Sequence, residues 1–514
     1  MNDKTLLVAT LFATLLLAAL PARPDEMQTV TCESKDGERQ HCPADTSSGV
    51  VLVRVTGSAA CLLGKSWGYD DQGIWVADGC GGEFAVGART PAAVPPSSPV
   101  PAPTLAPVAR TPTEALETWG TYDPGKGFLV GRSELGELAV SGYVLLRYMN
   151  QNDEDGVFTD HLGNERVVDT RHDIMSHRVI AWLMGWLGDP RLRYAITLWT
   201  VNATDQDAIF GNIGYQFSKR FSLYGGVNGN PGSRSLQGSH PYWLGHDRVM
   251  ADEFFRPFFT VGVWANGELA PGLWYLAQVG NSSSILGITA AQFDRKLQTV
   301  GLSMWWMPTT HEFGPRGGYG DWEYHEELAT RFGFSATQSP EERFPDPDTG
   351  KADNTTIRLA DSLNVFDTGA LAPGVTVSEV DYAILAIDAG MKYKGIFLQA
   401  EYYKRQLEGF KADGPLPVRD IEDDGFYVQA SFFPIKKKLE LYAVTSQIYG
   451  DEDAGFDDSS EYVAGMNFYP YDTRNHRLNL QVMDVNNSPV SSSFGYYMGG
   501  QEGFTASTAF SVFF

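Results

Sequence analysis

Arginines and carboxylates spaced to act together are the first chemical signal in this 514-residue chain. The stretch "NGNPGSRSLQGSHPYWLGHDRVMADEFFRPF" sets Arg234, Arg248 and Arg256 beside Asp247, Asp252 and Glu253, with His240 and His246 among them. Fixed charges of both signs facing each other across a narrow passage create a transverse field and discriminate ions by sign. Four more arginines, Arg147, Arg193, Arg331 and Arg405, recur in alternating segments, and Glu401 shares the side of Arg405. As pore-lining groups, these arginines would favour anions. Read blandly, the first stretch is a solvated loop with local ion pairs. Its Tyr242, Trp243, Phe254 and Phe255 exceed what such a loop needs, so an inward-folded constriction loop is the expectation. Arg178 lies where both strand faces are mixed and stays unassigned.

The chain reads as non-enzymatic, with no catalytic residue, metal or cofactor assigned: H-E-x-x-H and G-x-x-x-x-G-K-[ST] are both absent. A barrel enzyme with a scattered site is the remote alternative. "GGYGDWEYHEE" gathers carboxylates around His325 but falls in an expected turn. "DEDAGFDDSSE" (451–461) lacks the Gly at position six and Glu at position twelve of a calcium hand. It reads as an acidic external loop able to share divalent ions with lipopolysaccharide. A formal charge of −24 argues against nucleic acid as a partner.

Strands must position these groups. In "VIAWLMGWLGDPRLRYAITLWT", Gly188, Asp189 and Pro190 make a tight turn. Leu192, Tyr194, Ile196 and Leu198 then share one face, opposite Arg193, Ala195, Thr197 and Trp199. Ile396, Leu398, Ala400 and Tyr402 likewise oppose Gln399, Glu401, Tyr403 and Arg405. Short turns at Ser218-Lys219-Arg220, Ala270-Pro271-Gly272, Lys394-Gly395 and Ile435-Lys436-Lys437-Lys438 alternate with long polar stretches at 150–173, 228–257 and 339–379. About sixteen strands run from near Glu137 to Phe514, the pattern of an all-β, antiparallel transmembrane barrel with short periplasmic turns and long external loops. No apolar run reaches the length of a membrane helix. A soluble sandwich or propeller is the rival, but it would bury its apolar faces in one core.

An arginine on the lipid face near mid-membrane costs about 2–4 kcal/mol, which sends Arg147, Arg193, Arg331 and Arg405 to the lumen. Tyr148, Trp264, Trp305, Trp306 and Tyr469 are expected at interfacial girdles. In the final "FTASTAFSVFF", Phe504, Ala506, Phe510, Val512 and Phe514 face lipid, and Thr505, Ser507 and Ser511 face water. Phe513 has no clear place. The terminal Phe514 is similar to the signal that barrel-assembly machinery reads.

The first segment, 1–22, reads as a signal peptide: Lys4, an apolar run from Thr5 to Leu20, then Pro21 and Ala22. Four cysteines, Cys32, Cys42, Cys61 and Cys80, imply two disulfides in an oxidising compartment, with three pairings open. They lie in a compact β module, 27–88, where Trp67, Tyr69 and Trp75 either fill a small core or offer a stacking surface for sugars or peptidoglycan. A Pro/Ala-rich spacer, 89–116, leads to the barrel, 117–514.

Two resemblances sharpen this. Cys61, Trp67-Gly68-Tyr69-Asp70, Gly73-Ile74-Trp75-Val76, Gly79-Cys80 and Phe84 resemble a four-cysteine domain of unknown function found in exported bacterial proteins. "GELAVSGYVLLRYMNQ", "GDPRLRYAITLWT", "YWLGHDRVMADEFFRPFFTVGVWANGEL" and "WMPTTHEFGPRGGYGDWEYHEELATRFGF" resemble a porin group related to the phosphate-selective porin O and P family. That resemblance implies a trimeric sixteen-stranded outer-membrane channel for small hydrophilic solutes or ions. Its phosphate-selective members cluster lysines along the pore; here lysines sit mostly in turns and loops, so the channel carries over and phosphate selectivity does not. The alternative role is a barrel in outer-membrane lipid that anchors a periplasmic, peptidoglycan-binding module.

Overall fold

The computed structural model describes residues 28–46, 49–57, 59–86, 127–201, 206–238, 240–283, 296–345, 357–491 and 496–514. The expected signal peptide and spacer lie outside these residues. The chain forms two compact units, the first holding the N-terminal strands and the second the barrel.

In the first unit, β1 (Gln28–Glu33), β6 (Gly81–Val86) and β3 (Val50–Val55) form one sheet, in that order. β2 (Arg39–Cys42), β5 (Gly73–Ala77) and β4 (Trp67–Asp70) form another. Of the three pairings left open, the chain adopts Cys32–Cys42 and Cys61–Cys80. Trp67, Ile74, Val76 and Phe84 make the core, with Trp67 and Phe84 centroids 4.9 Å apart. So few apolar side chains hold a fold only with covalent staples. Trp67 is therefore a core residue, whereas Trp75 is half-buried under the Arg39 guanidinium, 4.0 Å from its ring.

Sixteen long strands close the barrel: β8 (Gly136–Gln151), β11 (His172–Leu187), β12 (Asp189–Val201), β13 (Gln206–Ser218), β14 (Phe221–Gly229), β15 (Phe259–Ala270), β16 (Leu273–Gly280), β17 (Thr299–Trp306), β18 (Ala329–Glu342), β19 (Val377–Tyr393), β20 (Ile396–Ala412), β21 (Asp420–Ile435), β22 (Leu439–Tyr449), β23 (Ser459–Phe468), β24 (His476–Asn486) and β25 (Gly503–Phe513). β7 (Phe128–Ser133) joins at the seam, where β25 pairs antiparallel with β8. A small hairpin, β9 (Val157–Thr159) with β10 (Glu165–Val167), decorates the connection from β8 to β11. Closure leaves no row of unpaired backbone groups, which is what lets strands cross lipid.

Side chains alternate clearly along many of the strands. Along β20, Ile396, Leu398, Ala400 and Tyr402 are exposed while Phe397, Gln399, Glu401, Tyr403 and Arg405 are buried. Along β25, Phe504 and Phe510 are exposed, and Thr505, Ser507, Ala509, Ser511 and Phe513 are buried. One face is a greasy exterior and the other a packed, largely polar interior. Most connections alternate in length, with short turns at one end and longer loops at the other; the 307–328 connection is a long one at the turn end. The turn from β19 to β20 has two residues, Lys394 and Gly395, both at positive φ (49° and 83°), the twist a tight hairpin needs.

Three expected girdle residues, Trp264, Trp305 and Tyr469, are corrected, since all face the interior. Trp264 and Tyr469 are 1% and 2% exposed and point inward, Trp264 stacking on Tyr224 at 5.7 Å. Trp305 is half-buried under the Arg331 guanidinium. Tyr148 and Trp306 are exposed on the outer face.

Candidate functional site: the barrel interior

The connection between β14 and β15 (230–258) folds against the inner wall. It contains a short helix, Met250–Phe255, whose first residues lack intrahelical partners for their N–H groups. The wall supplies them: Met250 N–H donates to Glu461 (2.9 Å) and Ala251 N–H to Ser446 (2.8 Å). Further along, Arg234 N–H donates to Glu401 (2.8 Å) and His246 Nε2 lies 2.8 Å from Ser507 Oγ.

Most charges of this loop are paired. Asp247 lies 3.3 Å from Arg147 on β8 and 3.6 Å from Arg178 on β11. Arg248 Nε donates to Ser235 (2.9 Å) and lies 3.5 Å from Asp252. Arg256 grips Glu253 through two nitrogens at 2.6 and 2.9 Å. Asp252 accepts from Ser233 and, at 3.0 Å, from Ser235. Arginine faces also lie on rings, Arg248 over Trp243 at 4.4 Å and Arg234 over Tyr319 at 4.1 Å.

On the wall, Arg331 Nε donates to Asp388 (3.0 Å) and Arg405 Nε to Asp423 (3.0 Å), with Phe254 4.1 Å from the Arg405 guanidinium. Glu401 accepts from Tyr427 (2.8 Å) as well as from the loop. The structure therefore brings Arg147, Asp247, Arg248, Asp252, Arg405 and Glu401 into one interior network. Arg193 is half-buried on β12. Removing one partner of such a buried pair costs about 3–5 kcal/mol, because the other charge is left uncompensated.

Sequence reasoning missed a second inward segment. The connection between β17 and β18 (307–328), expected as a turn, enters from the turn end and reaches the middle of the barrel. Tyr319 OH lies 3.3 Å from Tyr427 OH, and Lys392 Nζ donates to Phe313 O (2.8 Å). The two inward segments meet. Tyr319 N–H donates to Tyr242 O (2.7 Å), Arg316 Nε to Gly238 O (2.8 Å) and Arg234 to Gly317 O. The run of Phe313, Tyr319 and Trp322 was the available signal, since a solvated turn seldom carries three aromatics. A third inward patch, including Leu359, Val365, Phe366 and Leu371 from the β18–β19 connection, packs in the same core. The acidic run at 451–461 caps a short turn: Asp451 accepts from Ala454 N–H, and Glu422 N–H donates to it at 2.9 Å.

An apolar exterior, a closed ring of sixteen strands and a charged interior define a porin-like β-barrel. Among known proteins, residues 29–100 match the family described as a protein of unknown function (DUF3011). The chain matches no curated protein. Solved structures similar to it include the outer-membrane protein OmpT of Vibrio cholerae, at 12% identity and TM-score 0.45 over 75% of this chain and 99% of that one. An anion-selective porin from Comamonas acidovorans is similar at 12% identity and TM-score 0.42, over 74% and 100%. The outer-membrane channel DcaP of Acinetobacter baumannii matches at 10% identity and TM-score 0.42, over 76% and 99%.

Proposed function

We propose that this chain is an outer-membrane channel for small hydrophilic solutes or ions, with an anion preference set by interior arginines. One observation carries the reading: a closed barrel with lipid-compatible side chains outside keeps its arginines, carboxylates and amides on the inside, an arrangement suited to a wet passage. Passage follows the wall least filled by the inward segments, where Arg193, Gln216, Asn266, Glu268 and Trp305 remain half-exposed. The loop of 230–258 acts as its constriction, and Arg147, Arg331, Arg405 and Glu401 set the field behind it. Assembly as a trimer, recognition of Phe514 by barrel-assembly machinery, contacts with lipopolysaccharide and a periplasmic place for the N-terminal module belong to the same reading.

Planar-bilayer recordings of the purified full chain test it. Stepwise conductance is expected, with a reversal potential shifted toward the anion. Arg248→Ala and Arg256→Ala, which leave Asp252 and Glu253 without their partners, should reduce that shift. Unchanged conductance and reversal potential in both variants would remove the constriction.

The close packing of the interior favours a second reading, in which the barrel anchors its N-terminal module and conducts little. A full chain silent in bilayers, but retained on peptidoglycan through that module, selects this role.

A further inference from the structure

Two connections at the loop end reach each other from opposite rims of the barrel. In ring order, the β8–β11 and β18–β19 connections have β12–β17 between them on one side and β20–β25 on the other, six strands each way. A contact between them therefore spans the mouth along a diameter. His161, at the tip of the β9–β10 hairpin, makes that contact. Its Nδ1 lies 2.6 Å from Asp361, and its backbone N–H donates to the same carboxylate at 3.3 Å. The two side chains are 6% and 9% exposed.

Both partners are held in shape. On the hairpin, Asp160 accepts from the N–H groups of Leu162 (3.1 Å) and Asn164 (2.8 Å) and from Arg166 Nε (3.0 Å). On the other side, a bridge between Arg358 and Asn364 closes a tight turn with Asp361 near its tip. The turn packs on connections from the β20–β25 half. Phe456 lies 4.4 Å from the His161 ring, and side chains added at Gly450 and Gly499 would meet Ala360 and Ser362. Its root beside β19 differs. Thr368, Pro373 and Gly374 are exposed there, and Gly369 and Gly374 take positive φ (85° and 73°). A stretch buried at its tip, with an exposed root containing glycines, can swing as a hinged strap.

We infer that residues 357–376 form a strap that closes the mouth over the β20–β25 wall, latched by His161 on Asp361, and that its release regulates passage. Regulation of passage rests on the channel reading, but release of the strap can be measured without conduction. Hydrogen bonds to a charged group outweigh neutral ones, so losing the latch should favour the open strap about tenfold or more.

Thiol labelling of the full chain in detergent tests it. The native cysteines are closed in two disulfides, so an introduced thiol reports alone. Ser362→Cys, at the buried tip, should react with fluorescein maleimide far more slowly than Thr368→Cys at the exposed root. Adding His161→Ala should speed the labelling of Ser362→Cys about tenfold or more. Asp361→Ala should do the same from the strap side, and the double variant should go no further. Ser431→Cys, buried near the turn end of β21, should stay unlabelled throughout, which separates release from unfolding. In bilayers, His161→Ala should conduct more than the native chain. Fast labelling of Ser362→Cys with the latch intact, labelling unchanged by either variant, or labelling that spreads to Ser431→Cys in both overturns the strap. So does equal conductance of the native and His161→Ala chains when both conduct. Faster labelling with neither chain conducting overturns the channel and leaves the strap as a closure.

Discussion

His325 shows how one side chain holds a segment inside the barrel. Its Nε2 lies 2.8 Å from Glu312 and its Nδ1 contacts Asp321. Burial pushes its pKa down, but hydrogen bonds to Asp321 and Glu312 outweigh this and raise it from 6.5 to about 9. Burial likewise raises Asp321, and hydrogen bonds from His325 and the Gly395 N–H reverse that, holding its carboxyl below the usual range. A group whose folded pKa is raised stabilises fully below its unfolded value and loses that contribution as pH climbs through the folded value. The hold on the 307–328 connection should therefore weaken between pH 6.5 and about 9. Hydrogen exchange, corrected for intrinsic rates, reads this at the Lys394 amide, which donates to His325 O at 2.8 Å. Protection should fall across that window in the native chain and stay flat in His325→Gln. Equal profiles would show that the charge on His325 does not hold the segment.

Among the elements, the seam between β25 and β8 decides closure. Gly142 and Phe514 exchange backbone hydrogen bonds, both 3.0 Å, and the Phe514 ring lies across the Gly142 Cα. A side chain at 142 meets that ring. Gly142→Val should displace Phe514 and lower the unfolding temperature by several degrees, whereas Val144→Leu, two residues along the same outer face, should change it little. Equal melting of the two variants would mean that the ring contact is dispensable. How far such elements were readable followed physical lines. The phases of β12, β20 and β25 were legible because lipid and lumen impose opposite chemistry on alternate residues. Phe513 was not, since its inward place comes from Tyr242 and Trp182, rings distant in sequence. Trp264 and Tyr469 misled for the same reason: an aromatic near a strand end suits an interface, and only tertiary contacts show that it faces inward. The 307–328 connection hid its role because its burial is set by the opposite loop.

At the scale of the whole molecule, the two units draw on different forces. The first has a core of a few apolar side chains and two disulfides that close loops of 10 and 19 residues. Loops of that length contribute roughly 3 kcal/mol each by restricting the unfolded chain. Reduction should therefore open the first unit to trypsin at Lys35, Arg39 and Arg54 while the barrel stays resistant. Simultaneous loss of both would mean that the units do not stand separately.

The seam also bears on time. Ser141 and Phe514, which meet there, are 373 residues apart in sequence. The two inward segments, too, can find each other only within a nearly complete ring. Contacts of such separation cost loop-closure entropy before they return any energy, and chains dominated by them fold slowly. Until the last strand is in place, the open edges of the first and last strands remain free to pair with other chains. The interval before closure, rather than the finished barrel, is when this molecule is vulnerable to aggregation.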